Sequence, residues 1–383
     1  VLPSAARYYR SVTDSLRIAV VGPTHPYTGG VSTHTTTLAN RLIAAGHRVD
    51  MVSWKSQYPK FLRDGATHVP DDQPEVAPVP GTSYRLTWYN PFTWFLAGRR
   101  LRKHDVVIVS QITPFHAVPY AGIRMGFGRR PRAVVVAHNV IPHEESRVDR
   151  LLVSLLYRFY QHVLVHSEEQ KQIAESIRKR GVTVAATRMP LPDLLYGDAD
   201  AAKPAAAADG TIRLLFFGMI RRYKGLDVLL AAMARVPGSH LTVAGEFWEP
   251  LAEYTSQIEK LGIRDRVTIL NGYLATPEIG ETFRSVDALA LPYRTGSASV
   301  NVSLGFRFHL PVLASNAGTL ALDVEDGVNG IVFERDNVDA LVAALTKLGS
   351  TGELARLTNG VNPFLLDEQW SAYIADLLAL AAR

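Results

Sequence analysis

Cysteine is missing altogether from the 383 residues. That excludes disulfides, thiolate metal centres and cysteine nucleophiles. The apolar runs of the chain are strand-sized, far below the roughly 20 residues a membrane-crossing helix needs. The basic, apolar and small-residue succession of a secretory leader is also missing from the first residues, so a cytosolic enzyme is the expected setting. Nor is there much excess charge. Lys and Arg number 41 against 36 Asp and Glu, and a net +5 is too small to argue for nucleic acid. Walker-type phosphate loops and Ser-His-Asp nucleophile patterns are absent too. What remains is an ordinary globular composition, 47% apolar and 20% charged, in a chain long enough for two domains with separate cores.

Apolar runs bounded by turn residues recur at 17–22, 48–54, 105–110, 133–138 and 162–166, separated by helix-length segments. Val134-Val135-Val136 lacks alternation, as expected of a strand buried on both faces of a parallel sheet. An alanine-rich stretch at about 196–210 reads as a linker. The strand rhythm then restarts at 212–218, 240–245, 266–270, 288–292, 311–315 and 330–333. This is an α/β pattern with two doubly wound sheets, whose ligands would sit at the carboxyl ends of strands, in a cleft between domains. The linker pair Asp198 and Asp200 has a metal-like spacing but no further ligands, which makes a poor metal site. The last segment carries Trp370, Tyr373, Ile374, Leu377 and Leu378 at helical spacing. Periodicity alone leaves open which domain it packs on.

Chemistry concentrates in the turns. After the first strand, Gly29-Gly30 opens a helix running from Val31 to Ala45, where free backbone N–H groups would attract an anion. In the second half, Gly218 closes a strand, and Arg221, Arg222 and Lys224 crowd the turn before the helix at Leu226. Three cations beside a helix N-terminus ask for an anion, and a diphosphate is the natural candidate. A solvated basic loop is the plain alternative. His138 ends the strand 133–137, a position from which it could hydrogen-bond a sugar hydroxyl or move a proton, although lone histidines are more often structural. Gly296, Ser297, Ala298 and Ser299 follow another strand. They could open a helix facing the same anion, or merely cap it.

These elements in this order resemble retaining glycosyltransferases of family 4 with the GT-B fold. The resemblance is carried by Gly29-Gly30 with His34, by His138, by Gly218 through Lys224-Gly225, and by Val243-Ala244-Gly245-Glu246. It continues through the strand 287–292, Pro311-Val312-Leu313-Ala314-Ser315 and Asp326-Gly327-Val328-Asn329-Gly330, and covers nearly the whole chain. It implies two Rossmann-like domains facing across a cleft: an acceptor domain at 1–195 and a donor domain at 205–363, with a final helix at 364–383 crossing back to the first. It further implies transfer from a UDP- or GDP-sugar with retention, with no metal and no other cofactor. His138, Lys224 and Arg221 would carry the catalysis. Gly29, Gly30, Gly218, Arg222, Tyr273 and the 296–299 stretch would hold the donor, and Tyr27, His34 and His143 would meet the acceptor. Two departures stand out. Met219 occupies the place of a family arginine, and Gly296 and Leu304 occupy the places of paired glutamates. An idle nucleotide-sugar-binding protein and a sugar-nucleotide epimerase are therefore the rival readings.

The acceptor region is distinctive. Asn90 and Pro91 suit the cap and first position of a helix reaching Lys103, aromatic at its start and basic at its end. Such a helix could lie on an anionic bilayer, at the inner face of a membrane, and its aromatics could stack on a sugar. The simpler expectation is that its aromatics dock it on the sheet and its basic end is solvated.

Overall fold

The structure, a computed structural model, describes residues 15–27, 29–57, 74–141, 147–178, 181–194, 210–295, 300–318 and 320–383. The chain divides into two compact units, 1–195 with 367–383, and 196–366. The proposed linker, with Asp198 and Asp200, lies outside the described residues, apart from Gly210.

The first unit is built on seven strands: β1 (Arg17–Val21), β2 (Arg48–Ser56), β3 (Ser83–Thr87), β4 (Val106–Gln111), β5 (Arg132–Ala137), β6 (His162–Val165) and β7 (Thr183–Ala186). They form one parallel sheet in the order β3-β2-β1-β4-β5-β6-β7. Its helices are α1 (Gly30–Ala44), α2 (Pro91–Leu101), α3 (Ala117–Phe127), α4 (Arg147–Phe159) and α5 (Glu168–Ile177). Val134, Val135 and Val136 are fully buried, as their unbroken apolar run requires. The sequence pattern did not reveal β3 and β7. Both are short edge strands, and β3 leaves Tyr84 and Arg85 exposed, so neither has the continuous apolar run of an inner strand.

The second unit begins with β8 (Ile212–Phe217), α6 (Leu226–Arg235), β9 (Ser239–Gly245), α7 (Leu251–Lys260) and β10 (Val267–Asn271). It continues with α8 (Thr276–Arg284), β11 (Ala288–Leu291), α9 (Val300–Arg307), β12 (Val312–Ser315), β13 (Gly330–Phe333), α10 (Val338–Leu348) and α11 (Glu353–Asn359). The six strands are parallel in the order β10-β9-β8-β11-β12-β13.

The last helix, α12 (Leu365–Ala382), belongs from Asp367 onward to the first unit. Arg41 on α1 pairs with Asp193 at 2.5 Å and also with Asp367. The Trp370 indole donates to the Leu191 carbonyl at 2.7 Å, and the Thr187 hydroxyl donates to Asp376 at 2.8 Å.

In each sheet the strand order reverses next to the first strand, between β1 and β4 in one and between β8 and β11 in the other. Loops leaving the carboxyl ends of strands at such a reversal form the natural ligand crevice of an open parallel sheet. The turns after β1, β8 and β11 hold several of the candidate residues.

Candidate functional site

In the first unit, Gly29 has φ 102° and brings the chain into α1, whose first turn has neither a side-chain cap nor an acidic residue. Both glycines are exposed. The first N–H groups of α1 are thus open to an anion. Tyr27, in the same turn, packs into the core at 7% exposure, and burial, helped by Tyr84, raises its hydroxyl to about 12. Its carbonyl accepts from Ser32 Oγ at 2.6 Å.

His34, His138 and His166 meet in one cluster with two rings of α12, His34 buried and the other two half-buried. The His34 ring centroid lies 4.9 Å from His138, 5.7 Å from His166, 5.1 Å from Trp370 and 5.4 Å from Tyr373. His138 and His166 are 5.2 Å apart because each follows directly on a carboxyl end of neighbouring strands β5 and β6. Gln111 anchors the loop behind His138, donating to the carbonyls of Asn139 and Val140 at 3.1 and 3.0 Å. Gln170 accepts from the Val140 N–H at 2.8 Å.

Both nitrogens of His34, Nε2 of His138 and the Tyr373 hydroxyl are buried without a hydrogen-bond partner. Burial keeps the imidazoles neutral, reinforced at His34 by His138 and His166 and at His138 by His166. His34 falls well below its usual range and His138 to about 3, while His166 falls to about 4 against an opposing pull from the Thr187 backbone. An unpaired buried donor or acceptor costs about 1–3 kcal/mol, so such a cluster is suited to take hydroxyl groups of a ligand or water. Among the described residues no group of three His, Asp or Glu side chains could hold a metal ion.

In the second unit, Lys224 stands in the turn between β8 and α6 at only 7% exposure. Its ammonium makes one long contact, 3.4 Å to the Phe217 carbonyl, and lies 5.5 Å from the Tyr293 ring centroid. No carboxylate of the described residues pairs with it. Burial, followed by the nearby Arg221 charge, lowers it to about 8. Gly218 at φ 100° makes room, for a Cβ there would stand 2.9 Å from Lys224 Nζ. The Arg221 guanidinium lies 3.9 Å over the Trp248 ring, with its Nε buried and unpaired.

Arg222, expected at the diphosphate, is exposed and turned toward carboxylates. Its side chain goes to Glu249 at 3.4 Å and Glu253 at 3.1 Å, and its backbone N–H donates to Glu249 at 2.6 Å. Arg294 locks the turn, binding Asp227 at 2.6 Å, Asp336 at 2.7 Å and the Arg222 carbonyl at 2.9 Å. Tyr273, in the loop after β10, is 81% exposed, and Met219 is 48% exposed. Leu304 is buried on α9. His143 and the stretch Gly296, Ser297, Ala298, Ser299 lie outside the described residues.

The structure therefore gathers His34 with His138, and Lys224 with Arg221. Sequence reasoning missed His166, Trp370, Tyr373 and Trp248 as partners of these groups. His166 carried a usable signal, since it follows its strand end as His138 does.

Two family models match the chain. The one described as Glycosyltransferase Family 4 covers residues 28–185, and the one described as Glycosyl transferases group 1 covers residues 211–350. Among curated proteins, the D-inositol 3-phosphate glycosyltransferase of Mycolicibacterium gilvum is 28% identical over 289 residues, 74% of this chain and 60% of that protein. Its Mycolicibacterium smegmatis counterpart is 24% identical over 84% of this chain and 70% of its own length. Matches of this kind span roughly half to two-thirds of the relatives' length. Among solved structures, Anabaena Alr3699/HepE in complex with UDP matches with TM-score 0.60, 16% identity and coverage of 95% of this chain and 100% of that one. The catalytic domain of Arabidopsis thaliana Starch Synthase IV bound to ADP and acarbose matches with TM-score 0.60, 13% identity and coverage of 97% and 99%. At these identities the likeness concerns the fold, GT-B with two Rossmann-like domains.

Proposed function

Since the chain belongs to the group 1 glycosyltransferases of family 4, we propose that it moves a sugar from a nucleotide diphosphate sugar to a glycoside, glycolipid or small natural-product acceptor. The transfer in this reading retains the anomeric configuration and uses no metal. The observation that carries it is Lys224, a buried cation without a carboxylate, with Arg221 close enough to depress it further. Two uncompensated cations at the carboxyl end of a parallel sheet want an anion, and the diphosphate of a UDP- or GDP-sugar supplies one. Neighbours of the same fold hold UDP and ADP, which supports a nucleoside diphosphate as that anion.

Bond breaking at the anomeric carbon puts a growing negative charge on the leaving diphosphate. Lys224 and Arg221 then bind the transition state more tightly than the ground state, and fixed donors of this type are worth about 3–4 kcal/mol each. His138 contributes a neutral imidazole whose Nε2 hydrogen-bonds a sugar hydroxyl, a role that suits a histidine held uncharged by burial. His34 takes part from the same cluster.

Titration calorimetry with UDP, GDP and ADP tests the donor. Tight binding of one of them, weakened by Lys224→Ala, together with slow hydrolysis of the matching sugar nucleotide, supports the transferase. Absence of heat with all three overturns it. The second reading, an idle nucleotide-sugar-binding protein, draws on Leu304, whose buried aliphatic side chain cannot hydrogen-bond a ribose. Binding without hydrolysis or transfer to any acceptor would favour that one.

A further inference from the structure

We propose that the first unit docks on a lipid bilayer carrying anionic headgroups, through the exposed face of α2, α3 and α4. The face begins with how α2 and α3 meet. A Cβ at Gly98 would stand 2.1 Å from the Ile123 carbonyl oxygen, and one at Gly126 would stand 2.4 Å from the Phe95 carbonyl oxygen. One turn earlier on both helices the Trp94 side chain packs on Gly122, where a Cβ would stand 3.0 Å from its ring. The backbones touch, as they do where glycines replace side chains at a helix crossing. The contacts advance together, from Trp94 with Gly122 to Gly98 with Gly126, so the two helices run parallel and their carboxyl ends lie side by side.

That arrangement sends the apolar side chains outward. Phe92 is 79% exposed, Phe95 44%, Leu96 56% and Met125 60%. Leu155 and Phe159 of α4 complete an open groove of about 580 Å³ with Phe92, Phe95, Val118 and Met125. A contiguous patch of this kind is unusual on a surface meant only for water. The helix named above as the candidate for the bilayer thus does both things at once. It docks through Trp94, Ala97, Gly98 and Leu101, and it still presents a second apolar face.

The charge around the patch selects the partner. From Trp88 to Arg132 the chain carries eight basic residues (Arg99, Arg100, Arg102, Lys103, Arg124, Arg129, Arg130 and Arg132) and one acidic residue, Asp105. Arg99 and Arg100 lie in the last turn of α2, Arg102 and Lys103 follow its end, and Arg129 and Arg130 follow the end of α3, all six exposed. None of these six forms an ion pair with a described residue. Compensation of the helix dipoles calls for a cation within the last turn, not for a field of them. An apolar face with a basic margin matches the acyl region and phosphates of an anionic bilayer, with aromatics at the boundary between them. No helix of the described residues is long and apolar enough to cross a membrane, so the contact would be superficial.

Co-sedimentation of the full chain with vesicles tests this, using phosphatidylcholine alone and phosphatidylcholine with about one-third phosphatidylglycerol. The expected result is binding to the anionic vesicles only, weakened by salt. The double variant Phe92→Ser/Phe95→Ser, at exposed positions, should lose about tenfold or more of that binding. Arg99→Gln/Arg100→Gln should lose about 25-fold, roughly fivefold for each charge. The control Lys260→Gln/Arg335→Gln, which removes as much charge from the other unit, should bind as the parent does. Equal sedimentation with both vesicle types, or an equal loss in the control, overturns the proposal. So does sedimentation velocity showing a dimer that the phenylalanine variants dissociate, since a second copy would then cover the face. The assay contains no nucleotide, and the variants are checked for an unchanged thermal shift with the nucleoside diphosphate. Failure here is therefore separable from failure of the donor reading.

Discussion

The two units carry the same sheet architecture and opposite electrostatic choices. In the first, the residues at the strand ends are imidazoles, packed against buried His34 and neutral, with ring nitrogens left unpaired. In the second, they are cations, one of them buried at 7% exposure with no carboxylate beside it. Neutral unpaired groups favour uncharged hydroxyls, since a hydrogen bond repays their desolvation and no charge needs balancing. Unpaired cations favour an anion. In the proposed scheme one protein divides two recognition tasks in this way, a sugar for the histidines and a phosphate for the lysine, and each half can be tested by destroying its own kind of vacancy.

The largest effect is expected from Lys224→Ala. Loss of a buried donor aimed at a developing charge should lower kcat for donor hydrolysis by about 10²–10³-fold. The thermal shift given by the nucleoside diphosphate should shrink in parallel. An unchanged rate in the folded variant would dissolve the contrast between the units. His138→Ala should cost less, about 10²-fold in kcat, the lower end for a residue that handles a proton or a hydroxyl. It should also leave diphosphate affinity within about twofold, since the histidine binds no phosphate in this scheme. A variant that lost nucleotide affinity as well would blur the division of labour.

The histidine cluster also has a stability signature. The imidazoles bind protons less readily in the folded protein than in the unfolded chain, where their usual value is 6.5. Between pH 6.5 and the folded values of about 3 for His138 and about 4 for His166, the unfolded state therefore holds more protons. Stability is complete above pH 6.5 and declines as the pH falls through that window. Replacing His34 by Leu removes two orphaned nitrogens and one of the titrating groups. Urea unfolding of His34→Leu should show a gain of about 1–3 kcal/mol and a shallower decline below pH 6.5, while activity drops. A loss of stability would mean that water or structure already satisfies His34.

Much of this was legible in the residues, and what was not has identifiable physical reasons. Inner strands such as Val134–Val136 declare themselves by an unbroken apolar run, and the Asn90 side chain caps α2 by accepting from the Phe92 N–H at 3.1 Å. His138 stood out because it sits just beyond a strand end, and Lys224 because it shares the turn between β8 and α6 with two further cations. The partners were not. The carboxylates that claim Arg222 come from beyond β9, 27 and 31 residues away, and nothing local announces them. Trp370 and Tyr373 reach the histidines only because α12 joins the first unit. The exposed face of α2 was hidden for another reason: Trp94, Phe95, Leu96 and Ala97 are apolar all round the helix. Only Gly98, Gly122 and Gly126, by drawing two backbones together, decide which side is buried.

The finest distinction lies between two adjacent arginines of the second unit. Arg221 stacks on Trp248 with an unpaired Nε beside Lys224, whereas Arg222 is exposed and turned toward Glu249 and Glu253. Arg221→Gln should weaken nucleoside diphosphate binding by about tenfold, the loss of one charge-assisted hydrogen bond. Arg222→Gln should change it by about twofold or less, because an exposed pair contributes little and its carboxylate partners return to water without cost. Calorimetric titration of the two variants side by side reads this directly. If Arg222→Gln were the more damaging change, its carboxylates would have to let go when the ligand arrives, and the turn that Arg294 holds would have to rearrange to let the second arginine replace the first.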